Sequence, residues 1–209
     1  MKSSKRPTPF TLNLPPDDRF VIAFSGGIDS LALISFMSEE ERNRSAAVYV
    51  DHSIRKREEL DEEIKLNRKN ARKLGVPLYI IRLGEGEVER YALEKDCGIE
   101  AAARSLRYSA LERFREEKGY NWILTAHHLN DQTETLIMRM MSSSPFWSYG
   151  GIREIEGHIR RPLLSLDKSQ IKKKVRESGL KWSEDSTNND ENYRRNWIRK
   201  NILPSITKK

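Results

Sequence analysis

Short apolar runs recur along the chain, each followed by a longer stretch with helical spacing. Arg19-Phe20-Val21-Ile22-Ala23-Phe24 is brief and β-branched, the pattern of a buried strand. Ser25-Gly26-Gly27 breaks it, and Asp29-Ser30 opens a periodic apolar stretch reaching Met37, which predicts a helix. Ala46–Val50 predicts a second strand, and a charged helix follows from Glu58 to Leu74, closed by Gly75 and Pro77. Leu78–Ile81 predicts a third strand. Glu100–Lys118 reads as a helix stopped by Gly119, Trp122–Thr125 as a fourth strand, and Asp131–Met141 as a further helix. Residues 1–16, rich in Pro, Ser and Lys and ending in Pro15-Pro16, read as an unstructured lead-in.

Strands alternating with helices predict an α/β fold, a doubly wound, Rossmann-like parallel sheet covered on both faces. In such sheets ligands bind at the carboxyl ends of the strands. The expected division is a nucleotide-binding α/β domain over residues 17–165 and a basic helical extension over 166–209, packed on the same domain. A length of 209 residues suits one domain with a small appendage. No apolar run approaches the roughly 20 residues that cross a bilayer, and the basic start lacks the apolar core of an export signal. Cys97 is alone, so no intrachain disulfide or cysteine metal cage can form; the expectation is a reducing, cytoplasmic setting.

Charge refines this outline. The net charge is +7 and the mean hydropathy −0.73. The first 150 residues carry 23 charges of each sign, whereas Gly151–Lys209 carry 15 basic and 8 acidic residues. The surplus gathers at Arg160-Arg161, Lys172-Lys173-Lys174 and Arg194-Arg195 with Arg199-Lys200. Such a cluster suits a phosphate-backbone partner, although a solvated, solubilising helix face has the same composition.

The densest chemical signal is Ser25-Gly26-Gly27-Ile28-Asp29-Ser30, set between a strand and a helix. The glycines permit a tight turn and close approach to a ligand, and the amides of the following helix start attract phosphate. Ser25 and Ser30 add hydroxyl donors. Asp29 would repel a phosphate unless Mg²⁺ lay between them. No Gly-Lys-Ser/Thr follows, so this is not a Walker A loop; an ordinary capped turn is the competing reading.

Arg104 and Arg107 lie three apart on one helical face, placed to clamp phosphate, or simply to pair with Glu100 or Glu112. Asp131 and Glu134 share the same spacing and suit a cationic amine, or they are solvated first-turn acids. His127 follows a strand directly, where a base or phosphate donor would sit; His128 has the look of a packing residue, and adjacent histidines alone make a poor zinc site. Asp51 ends the second strand at the place where such folds meet a ribose or adenine. Arg195 and Arg199, four apart, can reach a nucleotide or hold RNA. Trp182, Tyr193 and Trp197 among basic residues suit base stacking or core packing.

The 25–30 segment resembles the pyrophosphatase loop of the PP-loop adenylating enzymes. Val50-Asp51-His52-Ser53-Ile54-Arg55, Glu100–Tyr108, Thr125–Thr135, Arg161-Pro162-Leu163-Leu164 and Arg195–Arg199 occur in that order, and together they are similar to the tRNA(Ile) lysidine synthetase family over about residues 17–206. The resemblance implies an ATP-dependent ligase that adenylates the wobble cytidine of an isoleucine tRNA with a CAU anticodon, then joins free lysine to it. It implies ATP and Mg²⁺ held by Ser25, Gly26, Gly27, Ile28, Asp29, Ser30, Asp51, Arg104, Arg107 and His127, with Asp29 at the metal. Lysine would lie at Asp131 and Glu134, and tRNA along Lys172, Lys173, Lys174, Arg194, Arg195 and Arg199. Asp29, Arg107, Asp131 and Glu134 are the catalytic candidates. A homodimer stays open. Asn130 stands where the family often has Asp, residues 142–150 depart from its usual glycine-rich turn, and relatives commonly continue into further domains. The alternatives are an RNA-binding protein without turnover, a thiolating relative, which one cysteine disfavours, and an amide-forming synthetase.

Overall fold

In the computed structural model, residues 12, 14–53, 57–142, 150–182 and 194–207 are described. Four parallel strands form the sheet centre: β1 (Phe20–Ala23), β2 (Ser45–Asp51), β3 (Leu78–Arg82) and β4 (Trp122–Leu124). A short hairpin, β5 (Ile155–Glu156) and β6 (Ile159–Arg160), extends one edge through a parallel β4–β6 pairing. The strand order is β3-β2-β1-β4-β6-β5. The chain steps outward from β1 to β3 and then returns to the other side of β1. The crevice between the carboxyl ends of β1 and β4 is therefore the switch point where a ligand is expected.

Alternation along the strands supplies both cores. Phe20, Ile22 and Phe24 face one cluster with Ala47 and Leu124, while Val21 faces the other with Ala46, Val48, Val50 and Ile123. The first face is covered by α1 (Ile28–Phe36) and α7 (Lys168–Glu177), the second by α5 (Ile99–Glu117). Helix α7 packs on the α1 side of the sheet through Ile171 and Val175. Asp167 caps α7, its side chain accepting from the amides of Ser169 and Gln170 at 2.8 and 2.9 Å.

The expected strands and helices recur with shifts of one or two residues; α3 is Arg57–Leu74 and α6 is Leu129–Met141. Two short helices, α2 (Glu39–Asn43) and α4 (Glu87–Glu94), and the β5–β6 hairpin escaped the sequence reading. Each is too brief for a period to show. Within the expected lead-in, Leu12 is buried in the first core, with Leu14 packed beside it. At the far end α8 (Arg194–Trp197) runs through a π-helical turn (Ile198–Ile202) into α9 (Leu203–Thr207). Residues 143–149, within the departing 142–150 loop, and Tyr193 lie outside the described residues. No helix among the described residues is long and apolar enough to cross a membrane.

Candidate active site

Gly26 takes φ +75°, a left-handed conformation that a side chain would strain, and it is buried. Gly27 starts α1 without a side-chain cap, so the first-turn amides are left for a ligand or water. Ser30 Oγ donates to the Gly27 carbonyl at 3.0 Å and lies 3.4 Å from Ser25 Oγ.

Three helix starts converge here. The Leu129 amide of α6 donates to the Leu166 carbonyl at 2.9 Å, and the Lys168 amide of α7 donates to Asn130 Oδ1 at 3.1 Å. Asn130 therefore splices α6 to α7, a task for its carbonyl oxygen. Lys168 Nζ donates to Asp29 Oδ1 at 2.5 Å, joining α7 to α1. The His128 ring, 3% exposed, lies between the two acids without a hydrogen bond to either: its Nε2 is 3.6 Å from Asp29 Oδ1 and its Nδ1 3.4 Å from Asp131 Oδ2.

Beyond Asp131 the carboxylates are closed rather than open. Arg195 donates from Nε to Glu134 Oε2 at 2.6 Å and from Nη2 to Asp131 Oδ1 at 2.8 Å. Arg199 donates from Nε to Glu134 Oε1 at 2.8 Å and from Nη2 to Oε2 at 3.0 Å. Glu134 is only 1% exposed. This differs from the expectation of two acids awaiting an amine. Arg195 and Arg199, expected to reach a nucleotide or hold RNA, turn their guanidinium groups to the two acids while their side chains stay 31% and 42% exposed. Arg194 is likewise engaged, donating to Ser142 Oγ and to the Met141 carbonyl at the end of α6. Lys172 and Lys173 stay exposed, while Lys174 Nζ lies 5.2 Å from the Phe36 ring centroid.

Burial pushes His127 down to about 4, opposed by Asp131 and helped by the positive charges of Arg104, Arg161 and Arg195, so it is neutral at pH 7. Its Nδ1 shares a 2.8 Å hydrogen bond with Thr125 Oγ1. Burial also lowers His128. For Asp131 burial works the other way, yet His128, Arg195 and the His128 amide hold the carboxyl below its ordinary range. Arg199 is raised by its hydrogen bonds to Glu134.

Arg104 and Arg107 flank the Tyr108 ring at 5.1 and 5.7 Å from its centroid, and burial lowers Arg107. Asp51 is 2% exposed; Oδ1 accepts from the Ser53 amide at 2.8 Å and Oδ2 lies 3.5 Å from Arg82 Nε. Through Oδ1 its carboxylate shapes the turn after β2. Lys168 was missed by sequence reading, although its place just after the Asp167 cap marked it as a helix-start residue. Among the described residues no three His, Cys, Asp or Glu side chains gather as a metal cage. Mg²⁺ carried by a nucleotide needs only one or two carboxylates beside phosphates and water, and Asp29, with a side chain 36% exposed, fits that demand.

The PP-loop domain family matches residues 3–206. The chain belongs to that family. It is similar to the tRNA(Ile)-lysidine synthase of Thermus thermophilus, 37% identical over 195 residues, which cover 93% of this chain and 37% of that protein. Those of Thermosipho africanus and Treponema denticola are 36% and 34% identical, with 90% of this chain covered in each and 44% and 42% of the relatives. The chain therefore spans less than half the length of these relatives. In fold this PP-loop chain is also similar to the U34-tRNA thiolase NcsA of Methanococcus maripaludis, with a TM-score of 0.65, 15% identity, and 88% and 71% of the two chains covered. The NMN synthetase of Francisella tularensis gives 0.55 at 18% identity, covering 79% and 63%.

Proposed function

We propose that this PP-loop chain is the ATP-using part of a tRNA(Ile) lysidine synthetase, acting in the cytoplasm on an isoleucine tRNA with a CAU anticodon. One observation carries the reading: an uncapped, glycine-turned helix start and a pair of acids on α6 lie at one sheet edge, linked through Lys168, Asp29, His128 and Asp131. The first element suits phosphate and the second a cationic amine. The curated name shared by relatives at 34–37% identity supplies the substrates.

The cytidine C2 oxygen attacks the α-phosphorus of ATP, and pyrophosphate leaves with the cleaved P–O electron pair. The ε-amine of lysine, once deprotonated, then adds to C2. The C2–O bond breaks, AMP departs with that oxygen, and the nitrogen loses a further proton. A carbonyl oxygen leaves poorly, which is why adenylation precedes the C–N bond. The turn at Ser25–Gly27 and the α1 amides hold the phosphates, and Arg104 and Arg107 offset the charge that develops as pyrophosphate departs. Neutral His127 offers a hydrogen bond without adding charge. Mg²⁺, held by Asp29, would neutralise phosphate charge. Asp131 and Glu134 orient the ammonium, and one of them takes its proton, once Arg195 and Arg199 yield their places. The base must leave the anticodon stack to reach the crevice, and the exposed Lys172 and Lys173 offer phosphate contacts.

Incubation with ATP, labelled lysine and that tRNA is the test. Label retained in RNA is the expected result, and mass spectrometry of the nucleoside distinguishes lysine addition from thiolation. ATP–pyrophosphate exchange without label transfer would reject the lysine assignment.

A further inference from the structure

Helix α3 presents Leu60, Ile64, Asn67 and Ala71 at helical spacing, and these four are 5%, 7%, 1% and 2% exposed. Three are apolar and one is a carboxamide. Among the described residues, neither Asn67 Oδ1 nor Nδ2 has a hydrogen-bond partner. Burying an amide without a partner destabilises a fold, and a side chain of similar size without polar atoms would avoid the penalty. The polar residue therefore calls for a purpose elsewhere than in the resting core.

Its location suggests one. The Asn67 carboxamide lies directly beneath Gly26: a Cβ built there would sit 2.0 Å from Oδ1 and 2.7 Å from Nδ2. Gly26 is the left-handed residue of the turn into the uncapped start of α1. The N–H and C=O of a peptide unit point in opposite directions. When a peptide of the Ser25–Gly27 turn rotates its N–H towards an anion in the crevice, its carbonyl swings down to the floor, where Asn67 waits.

We propose that Asn67 is a positioning residue for the phosphate-binding turn: its Nδ2 donates to a backbone carbonyl of Ser25–Gly27 when the turn closes on phosphate, holding the N–H groups on the anion. Asn67 touches neither ATP nor the reacting atoms. The assignment rests on the ATP reading above. It also accounts for Gly26, since any larger residue would collide with the strut that serves the turn.

The test compares wild type with Asn67→Leu, of similar size, and with the smaller Asn67→Val, both of which remove the donor and the acceptor without adding charge. Binding of ATP with Mg²⁺ is followed by calorimetry, and melting is recorded with and without nucleotide. About a tenfold or greater loss of ATP affinity in both variants is expected, for one lost hydrogen bond and a freed turn. Asn67→Leu without nucleotide should melt at or above the wild-type temperature. In pyrophosphate exchange, KM for ATP should rise more than kcat falls. ATP affinity within twofold of wild type in both variants would overturn the proposal. So would a fall in the melting temperature of both variants with an unchanged nucleotide-induced shift, which a purely structural amide would give. Should Asn67→Leu fail to fold, Asn67→Val alone decides by the same affinity criterion. A wild-type chain that binds no ATP defeats the underlying ATP reading, and that failure is distinct because it precedes any variant.

Discussion

The two halves of the crevice are built differently. The side proposed for phosphate is local: six consecutive residues, Ser25–Ser30, supply the turn, the helix start and Asp29. The carboxylate side is assembled from afar, with Arg195 and Arg199 crossing 61 and 65 residues of sequence to reach Glu134. On the first side the α1 start carries no side-chain cap and Gly26 packs on the Asn67 amide, while Asp29 is paired with Lys168. The carboxylate side is saturated by its own arginines. A local motif can stay poised for a ligand because its backbone is held by the strand and helix on either side. A distant buried acid needs a partner of its own, since an unpaired charge at 1% exposure would be strongly disfavoured.

Removing the charge at the phosphate side should have the largest effect. Asp29→Ala is expected to lower lysine incorporation by about 10²-fold or more, with tRNA binding in filter assays largely retained. Incorporation close to wild type would break the distinction between the two sides.

His127 provides a pH test next to the boundary. Its folded value of about 4 lies below the ordinary 6.5, so the unfolded chain takes up the proton first. Its contribution to stability is complete above about pH 6.5 and is lost as pH falls towards 4, by roughly 3 kcal/mol at most. Urea unfolding across that range should show the slope, and His127→Gln should flatten it. Asp131, held below its usual range, adds a further loss only at still lower pH, as its carboxyl becomes protonated.

On the carboxylate side, Glu134→Gln takes the carboxylate partner from Arg199 and leaves Arg195 with Asp131. Both guanidiniums are partly exposed, with side chains 31% and 42% accessible, and can turn to water. A loss of about 1–3 kcal/mol in unfolding free energy is expected, below the range for a fully buried pair. An unchanged midpoint in urea would show that the closure is superficial.

The smallest effect belongs to the exposed lysines. Lys172→Ala with Lys173→Ala should alter stability by no more than about 0.5 kcal/mol each. The salt dependence of tRNA affinity should become shallower by about one unit of slope per lysine. A flat response would place the RNA elsewhere.

Much of this molecule was legible before folding was considered. The β1 and β2 runs, α3, α5 and the glycine turn all follow from local pattern, because strand alternation, helical spacing and positive-φ glycines are properties of neighbours in sequence. The order of motifs located the family for the same reason. The lengths of α2 and α4, five and eight residues, gave no such period.

What the sequence determined by itself is the alternating α/β order, the phosphate turn and the presence of acids and arginines in sufficient number. The tertiary structure alone decided who meets whom: Asp51 shaping its own turn, Asn130 tying two helices, Lys168 on Asp29, Asn67 under Gly26, and Glu134 enclosed by Arg195 and Arg199. Spacing fixes the direction of a side chain relative to its own helix. Its partner depends on how separate helices cross the sheet, which is settled by burial of their apolar faces.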